Sequence, residues 1–354
     1  MSRRLPLVSA VMLTALIATT SMLVIVSAQS GSVTITPNEA QRRVDVTIDG
    51  KPFTSYIWPT TLKKPTLWPI RAANGAVVTR AFPLEAKAGE RSDHPHQVGL
   101  WFNHGDVNGF DFWNNSEAIK PDQAKKFGTI VHRKVGEVKS TVTGAGELNV
   151  EMDWVAGDGT TLLRENTKFI FAGGKGIRTI DRITTLTALD KPVVFRDNKE
   201  GVLGMRMTRA LEQPATRPEI FTDASGKATA VPVLDNKGVT GEYVSSEGLK
   251  GDAVWSTRGR WTLLGGKIDE QPVTVAILDH PKNPGFPTHW HARGYGLFSA
   301  NMLGAREFSK GKETLDFSIP AGTSATFRHR IVILNAEPTP EAIEAEYKKF
   351  TAGS

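Results

Sequence analysis

Glu147-Leu148-Asn149-Val150-Glu151-Met152-Asp153-Trp154 decides the fold. Successive side chains of an extended strand point to opposite faces. Leu148, Val150, Met152 and Trp154 therefore share one face, and Glu147, Asn149, Glu151 and Asp153 the other. A strand with one wet face belongs to an antiparallel sheet covered on one side only. Outward from it, similar segments lie at about 43–49, 128–135, 162–171, 177–189, 260–264, 272–279, 314–319 and 324–334. Short alternating runs punctuated by 33 glycines and 20 prolines predict an all-β chain, an antiparallel β-sandwich rather than a series of βαβ units. One helix is expected at the end, with Thr339 as N-cap, Pro340 at its first position, and Ile343, Tyr347 and Phe350 as the stripe that docks on the sandwich. No linker or repeat divides the chain, so a single domain is expected over about 32–350.

The first 28 residues read differently. Arg3 and Arg4 precede an uncharged, largely apolar stretch from Leu5 to Val26, and Val26-Ser27-Ala28 places small residues where a signal peptidase cuts. The expectation is a signal peptide over residues 1–28, cut after Ala28, and a periplasmic or extracellular mature chain with no membrane span. Ser2-Arg3-Arg4-Leu5-Pro6-Leu7 approaches a twin-arginine signal, with Pro6 where an aromatic is preferred. The chain has 0 cysteines, which excludes disulfides, thiol nucleophiles and iron–sulfur or thiolate zinc sites. The net charge of +6 comes from scattered basic residues, which gives no support to a nucleic-acid partner.

The histidines concentrate in two stretches. Asp93-His94-Pro95-His96-Gln97-Val98-Gly99-Leu100-Trp101-Phe102-Asn103-His104 is followed by Asp106 and Asn108. His280-Pro281-Lys282-Asn283 leads to His289-Trp290-His291-Ala292-Arg293-Gly294-Tyr295. Both contain His-x-His-x-x-Gly. In extended backbone each pair faces one side, so His94 with His96 and His289 with His291 could converge on one ligand, or on a zinc or copper ion. The competing reading is that these imidazoles brace rigid, proline-containing loops. Trp101, Phe102, Phe110, Trp113, Trp290 and Tyr295 beside Asn103, Asp106, Asn108, Asp111 and Arg293 form the mixture of flat apolar faces and polar groups that suits a sugar. Trp and Phe that merely fill a core would look the same. Asp197-Asn198-Lys199-Glu200-Gly201 places a carboxylate beside a lysine in a turn, and Arg206 follows on a strand. His329, alone on an apolar strand face, reads as a core histidine.

These blocks, with Lys199-Glu200-Gly201-Val202-Leu203-Gly204-Met205-Arg206-Met207 and Trp290-His291-Ala292-Arg293-Gly294-Tyr295-Gly296-Leu297-Phe298, resemble the bacterial PmoA-like family, labelled "methane oxygenase PmoA". The chain departs from that pattern at Gln97, where many members place another histidine. The methane monooxygenase subunit of that name is a multi-span membrane protein, so methane oxidation does not transfer. What the resemblance implies is a β-sandwich similar in architecture to sugar mutarotases and related carbohydrate enzymes.

Three functions follow as expectations. The first is an exported enzyme acting on a small carbohydrate by His/carboxylate acid–base chemistry, as a hydrolase, lyase or epimerase. His94, His96, His104, His289 and His291 would serve with Glu200 as catalytic groups; Trp101, Asp106, Asn108, Trp113, Lys199, Arg206, Asn283, Trp290 and Arg293 would bind substrate. The second is a carbohydrate-binding protein without catalysis. The third is a His-ligated metal enzyme.

Overall fold

The computed structural model describes residues 31–315 and 317–352, so the signal-peptide expectation lies outside the described residues. Two eight-stranded antiparallel sheets form the body. In the first, the spatial order is Val33–Asn38, Arg43–Ile48, Lys51–Ile57, Thr66–Leu67, Leu100–His104, Gly201–Arg206, Leu297–Asn301 and His289–Arg293. In the second it is Glu242–Ser245, Trp261–Ile268, Gln271–Asp279, Ser324–Leu334, Ile177–Ala188, Thr161–Gly174, Gly146–Val155 and Thr129–Lys139. Val193–Phe195 and Phe317–Ile319 pair separately.

The Glu147–Trp154 segment lies in the strand Gly146–Val155, with Leu148, Val150, Met152 and Trp154 all buried in the common core. Facing them from the first sheet are Leu100, Phe102, Leu203, Met205, Trp290 and Phe298. Asp153, expected on the wet face, is buried too, because Arg164 and Arg133 close over it.

A charged pair crosses this apolar interior. Arg182 Nη2 donates to Glu165 Oε1 at 2.7 Å, Trp154 Nε1 donates to Glu165 Oε2 at 2.8 Å, and the guanidinium lies over Phe102 and Phe169 at 5.1 and 5.2 Å. Every oxygen of the buried carboxylate thus has a donor, which is the condition for keeping a charge out of water.

The C-terminal helix spans Pro340–Thr351. Ile343, Tyr347 and Phe350 pack on Trp261, Leu263, Leu278 and Val332, as expected. Thr339 sits at the N-cap without a side-chain cap bond; its carbonyl accepts from Ala342 and Ile343. Glu344 provides a further anchor, accepting from Trp261 Nε1 at 2.8 Å. Among the described residues, no helix is long and apolar enough to cross a membrane.

Candidate functional site

Register across four strands builds the site. His291 pairs with Ser299, Ser299 with Gly204 and Gly204 with Trp101, so these four residues share the outer face of the first sheet. Arg293, Leu297 and Arg206 form the adjoining row, and His289 and Asn301 flank the other side. Trp290, Ala300, Leu203 and Phe102 occupy the opposite, core-facing side. Trp290, expected to bind substrate, is therefore a core residue: it is fully buried and donates Nε1 to the Gly259 carbonyl at 3.2 Å. The period of two that aligns His289 with His291 necessarily turns the residue between them inward.

Trp101 and Trp113 lie on the outer face, 5.2 Å apart, but both are fully buried and form a floor with Leu297 and Tyr295. Gly204 makes room for them. A Cβ there would overlap the Trp101 indole and come within 2.9 Å of Trp113. The two indoles thus support the site from beneath rather than presenting open faces to a sugar.

Above this floor the loop before Leu100–His104 is clamped by two buried arginines. Arg80 donates to the backbone carbonyls of Arg91, Asp93, His94 and Gln97. Asp93 Oδ1 accepts from Arg80 Nη1 at 2.8 Å and from Arg206 Nη2 at 2.7 Å. Arg206 also donates to Gln97 Oε1 at 2.6 Å, so Gln97 holds an arginine here. Asp93 Oδ2 then accepts from His94 Nδ1 at 2.7 Å. Burial opposes ionisation of Asp93, yet the His94 hydrogen bond, Arg206 and Arg80 together hold its carboxyl well below the usual carboxylate range.

His94 adopts φ +46°, a left-handed conformation that few residues other than glycine adopt. Its ring stacks on Tyr295, centroids 5.2 Å apart and planes 3° apart, while the Arg206 guanidinium lies 4.7 Å from the same tyrosine ring. The His96 ring stands at 5.5 Å, edge-on. It is buried, and its Nε2 has no partner among the described residues.

The second histidine stretch reaches the same place. Burial lowers His291 to about 3, with Lys199, Arg293 and His94 adding repulsion, so the charges of the two loops act on one another. His291 Nδ1 donates to the Lys199 carbonyl at 3.0 Å. Tyr295 is raised, first by burial, with Glu200 and Asp93 contributing, which brings Glu200 into the same field. Lys199 pairs with Glu200. His289 and His291 both lie against Phe308, at 5.5 and 5.7 Å, and burial lowers His289 to about 4. The two pairs approach but do not merge: among the described residues no group of three or more His, Asp or Glu side chains could hold a metal ion.

Other expected site residues lie elsewhere. His104 is fully buried with Nε2 donating to the Arg196 carbonyl at 2.7 Å. Asp106 closes a turn by accepting from Gly109 N, and Asn108 ties that turn to Pro192 and Val194. Asn283 bonds Asp279 and both backbone groups of Arg328. His329 is buried as expected, 3.7 Å from Asp279, and burial lowers it to about 3. Conversely, Asp93, Arg80 and Lys64 belong to the site region although sequence reasoning singled out none of them, and Tyr295, expected among the sugar-facing aromatics, stacks on His94 instead. Asp93 was legible from its adjacency to His94. Arg80 and Lys64 lie in segments without periodicity and carried no signal.

A cleft of about 340 Å³ adjoins this centre, lined by Tyr295, Arg293, Trp255, Gln213, Asp252 and Arg91 among others. The Arg293 guanidinium lies over Trp255 at 5.5 Å and Tyr295 at 6.0 Å.

Fold and site together define an antiparallel β-sandwich protein with an arginine-clamped Asp–His pair on the outer face of one sheet. The chain belongs to DUF6807, a family of unknown function, whose model matches residues 43–348. No curated protein matches it. Among solved structures it is similar to the galactosidase domain of an alpha-galactosidase–sucrose kinase, at 7% identity and TM-score 0.43, covering 85% of this chain and 42% of that one. An alpha-galactosidase from Geobacillus stearothermophilus in complex with raffinose is similar at 10% identity and TM-score 0.36, over 87% and 41% of the two chains. A galactose mutarotase-like protein from Clostridium acetobutylicum is similar at 10% identity and TM-score 0.34, over 87% and 99%. The chain spans less than half the length of the first two. These likenesses, all with TM-scores below 0.5, define neither an activity nor a ligand for this chain.

Proposed function

We propose that the chain is an exported protein that acts on a carbohydrate by proton transfer at His94. The observation that carries this is the Asp93–His94 pair: a carboxylate clamped by Arg80 and Arg206 holds the imidazole through Nδ1 and leaves Nε2 as the basic nitrogen of a half-exposed ring. Tyr295, stacked on His94 and kept protonated by burial, supplies an acid beside that base. The sugar is suggested by the neighbouring cleft, where Trp255 and Tyr295 supply aromatic walls and Arg293, Gln213 and Asp252 supply polar groups. Export rests on the Arg3 to Ala28 sequence.

The nearby carboxylates narrow the reaction. Asp93 is held by two arginines, Glu200 by Lys199, Glu219 by Arg91, and Asp252 accepts from Gln213. Hydrolysis through two opposed carboxylates is thereby disfavoured. Epimerisation, anomer interconversion or elimination needs only one base and one acid, and His94 with Tyr295 meets that need.

The test is a panel of mono- and oligosaccharides followed by anomeric proton NMR and chromatography, with His94→Asn as the control. Turnover by the wild type, slowed by about 100-fold or more in the variant, is expected. Binding without product would replace this reading with that of a carbohydrate-binding protein, and failure to bind any sugar would end both.

A further inference from the structure

A second pocket, of about 380 Å³, is lined by Lys64, His96, Asn115, Ser116, Pro83 and Leu84 among others. Lys64 is only 5% exposed. Its ammonium donates to the His96 carbonyl at 2.7 Å and lies 5.6 Å over the Trp101 ring. Buried ammonium groups are ordinarily paired with a carboxylate. Among the described residues Lys64 has no such partner, for the acids around it are engaged elsewhere. Asp111 accepts from Trp113 N, Asn114 N and Asn114 Nδ2, and Glu117, exposed at the rim, is held by Lys63.

The unpartnered atoms nearby are of the complementary kind. His96 Nε2 and Trp101 Nε1 are buried without partners, as is Nε1 of Trp113, which packs on Trp101. Indole nitrogens only donate, and a neutral imidazole donates from whichever nitrogen carries its proton. Of these groups His96 lines the pocket itself, and the Lys64 cation, the His96 imidazole and the apolar walls of Pro83, Leu84 and Val98 leave one chemistry missing, a small anion.

We propose that this pocket binds the carboxylate of a small acidic ligand, with Lys64 as its ion-pair partner and His96 as a hydrogen-bond donor. The ligand class is a hexuronic acid; that sugar component rests on the function proposed above, whereas the carboxylate component does not.

A pH dependence follows. Burial lowers Lys64 to about 7, with Asp111 opposing, so the ammonium is fully formed only below neutrality. His96 stays neutral, because burial, Lys64, His94, Arg80 and Arg206 all hold it far below its ordinary value. The other charges at the pocket, Lys63 and Glu117, neutralise one another. A bound carboxylate returns Lys64 toward its charged state, and binding weakens as pH rises through neutrality.

The test is calorimetric titration of the mature chain with D-glucuronate and D-galacturonate, against glucose, galactose and acetate, at pH 6 and pH 9. Uronate affinity is expected to fall by about tenfold or more in Lys64→Met and on moving to pH 9, the value of one lost ion pair at about 1.4 kcal/mol. Neutral hexoses should bind the variant and the wild type alike. Should Lys64→Met fail to fold, NMR titration of isotope-labelled Lys64 in the wild type replaces it, with an upward pKa displacement expected on adding glucuronate. Equal uronate affinity in both proteins, or an unmoved Lys64, overturns the inference. If neutral sugars bind and uronates do not, this inference falls while the carbohydrate reading stands. If uronates bind through Lys64 but no His94-dependent turnover exists, the reverse holds. Acetate binding as strong as uronate binding supports the anion site and removes the sugar from it.

Discussion

The Asp93 carboxylate accepts from the guanidinium of Arg206 at 2.7 Å while its other oxygen holds His94 Nδ1 at the same distance. One acid therefore serves two purposes, neutralising a buried arginine pair and orienting an imidazole. Asp93→Asn separates them. The amide retains the shape but loses the charge, leaving Arg80 and Arg206 to repel one another. A loss of about 1–3 kcal/mol in urea unfolding is expected, less than for a fully buried pair because the carboxylate is partly exposed while both guanidiniums are buried. His94→Asn should instead leave stability nearly unchanged, since asparagine tolerates the left-handed backbone that His94 adopts. Equal stability losses in the two variants would contradict the clamp.

Gly204→Ala tests the floor. The added methyl would overlap Trp101 and crowd Trp113. Overpacking of this kind costs about 1–3 kcal/mol, and because both indoles move, the near-ultraviolet circular dichroism should change with the melting temperature. Full stability with an unchanged spectrum would show that the tryptophans are not packed on this strand.

The Glu165–Arg182 pair between the sheets should behave as a unit. Glu165→Leu or Arg182→Met alone is expected to destabilise by about 3–5 kcal/mol, and the Glu165→Leu/Arg182→Met double variant by less than either single change, since no unpaired charge remains. Additive losses in a double-mutant cycle would show that the two side chains act independently.

Acid should unfold the protein through its buried histidines. His289, His291 and His329 are lowered by burial to about 4, 3 and 3, so between roughly pH 6.5 and those values the unfolded chain binds protons that the folded chain refuses. Stability is then complete above about pH 6.5 and declines on acidification, by up to about 1.4 kcal/mol per pH unit for each histidine. Asp279, raised by burial to about 7, works in the opposite sense: its folded form binds the extra proton between about pH 4 and 7, so its contribution declines as pH rises. Asp279→Asn should therefore steepen the acid-side loss measured by urea unfolding across that range. An unchanged slope would show that Asp279 is ionised when folded.

Much of the second sheet was legible because its strands alternate. The segments expected at 162–171, 177–189, 272–279 and 324–334 correspond to strands Thr161–Gly174, Ile177–Ala188, Gln271–Asp279 and Ser324–Leu334 of that sheet, and the segment at 43–49 to Arg43–Ile48 of the first. The strands that carry the site were harder. Leu100–His104, Gly201–Arg206 and Leu297–Asn301 are buried on both faces, so alternation is lost, and the glycines beside them suggest loops. Trp290 was misplaced for another reason: strand alternation turns it to the face opposite His289 and His291, into the core.

The sequence by itself determined the all-β class, the terminal helix and the concentration of chemistry in two histidine stretches, since these depend on periodicity and residue type within short windows. Tertiary structure alone decided which histidines are orientable and which are sealed, and which acid serves His94. It also decided that Arg80, Arg206 and Lys64 lie beneath the same loop. Burial and pairing are set by strands remote in sequence: Arg206 comes from a strand more than a hundred residues beyond Asp93, and only the register of the sheet brings that guanidinium to the carboxylate.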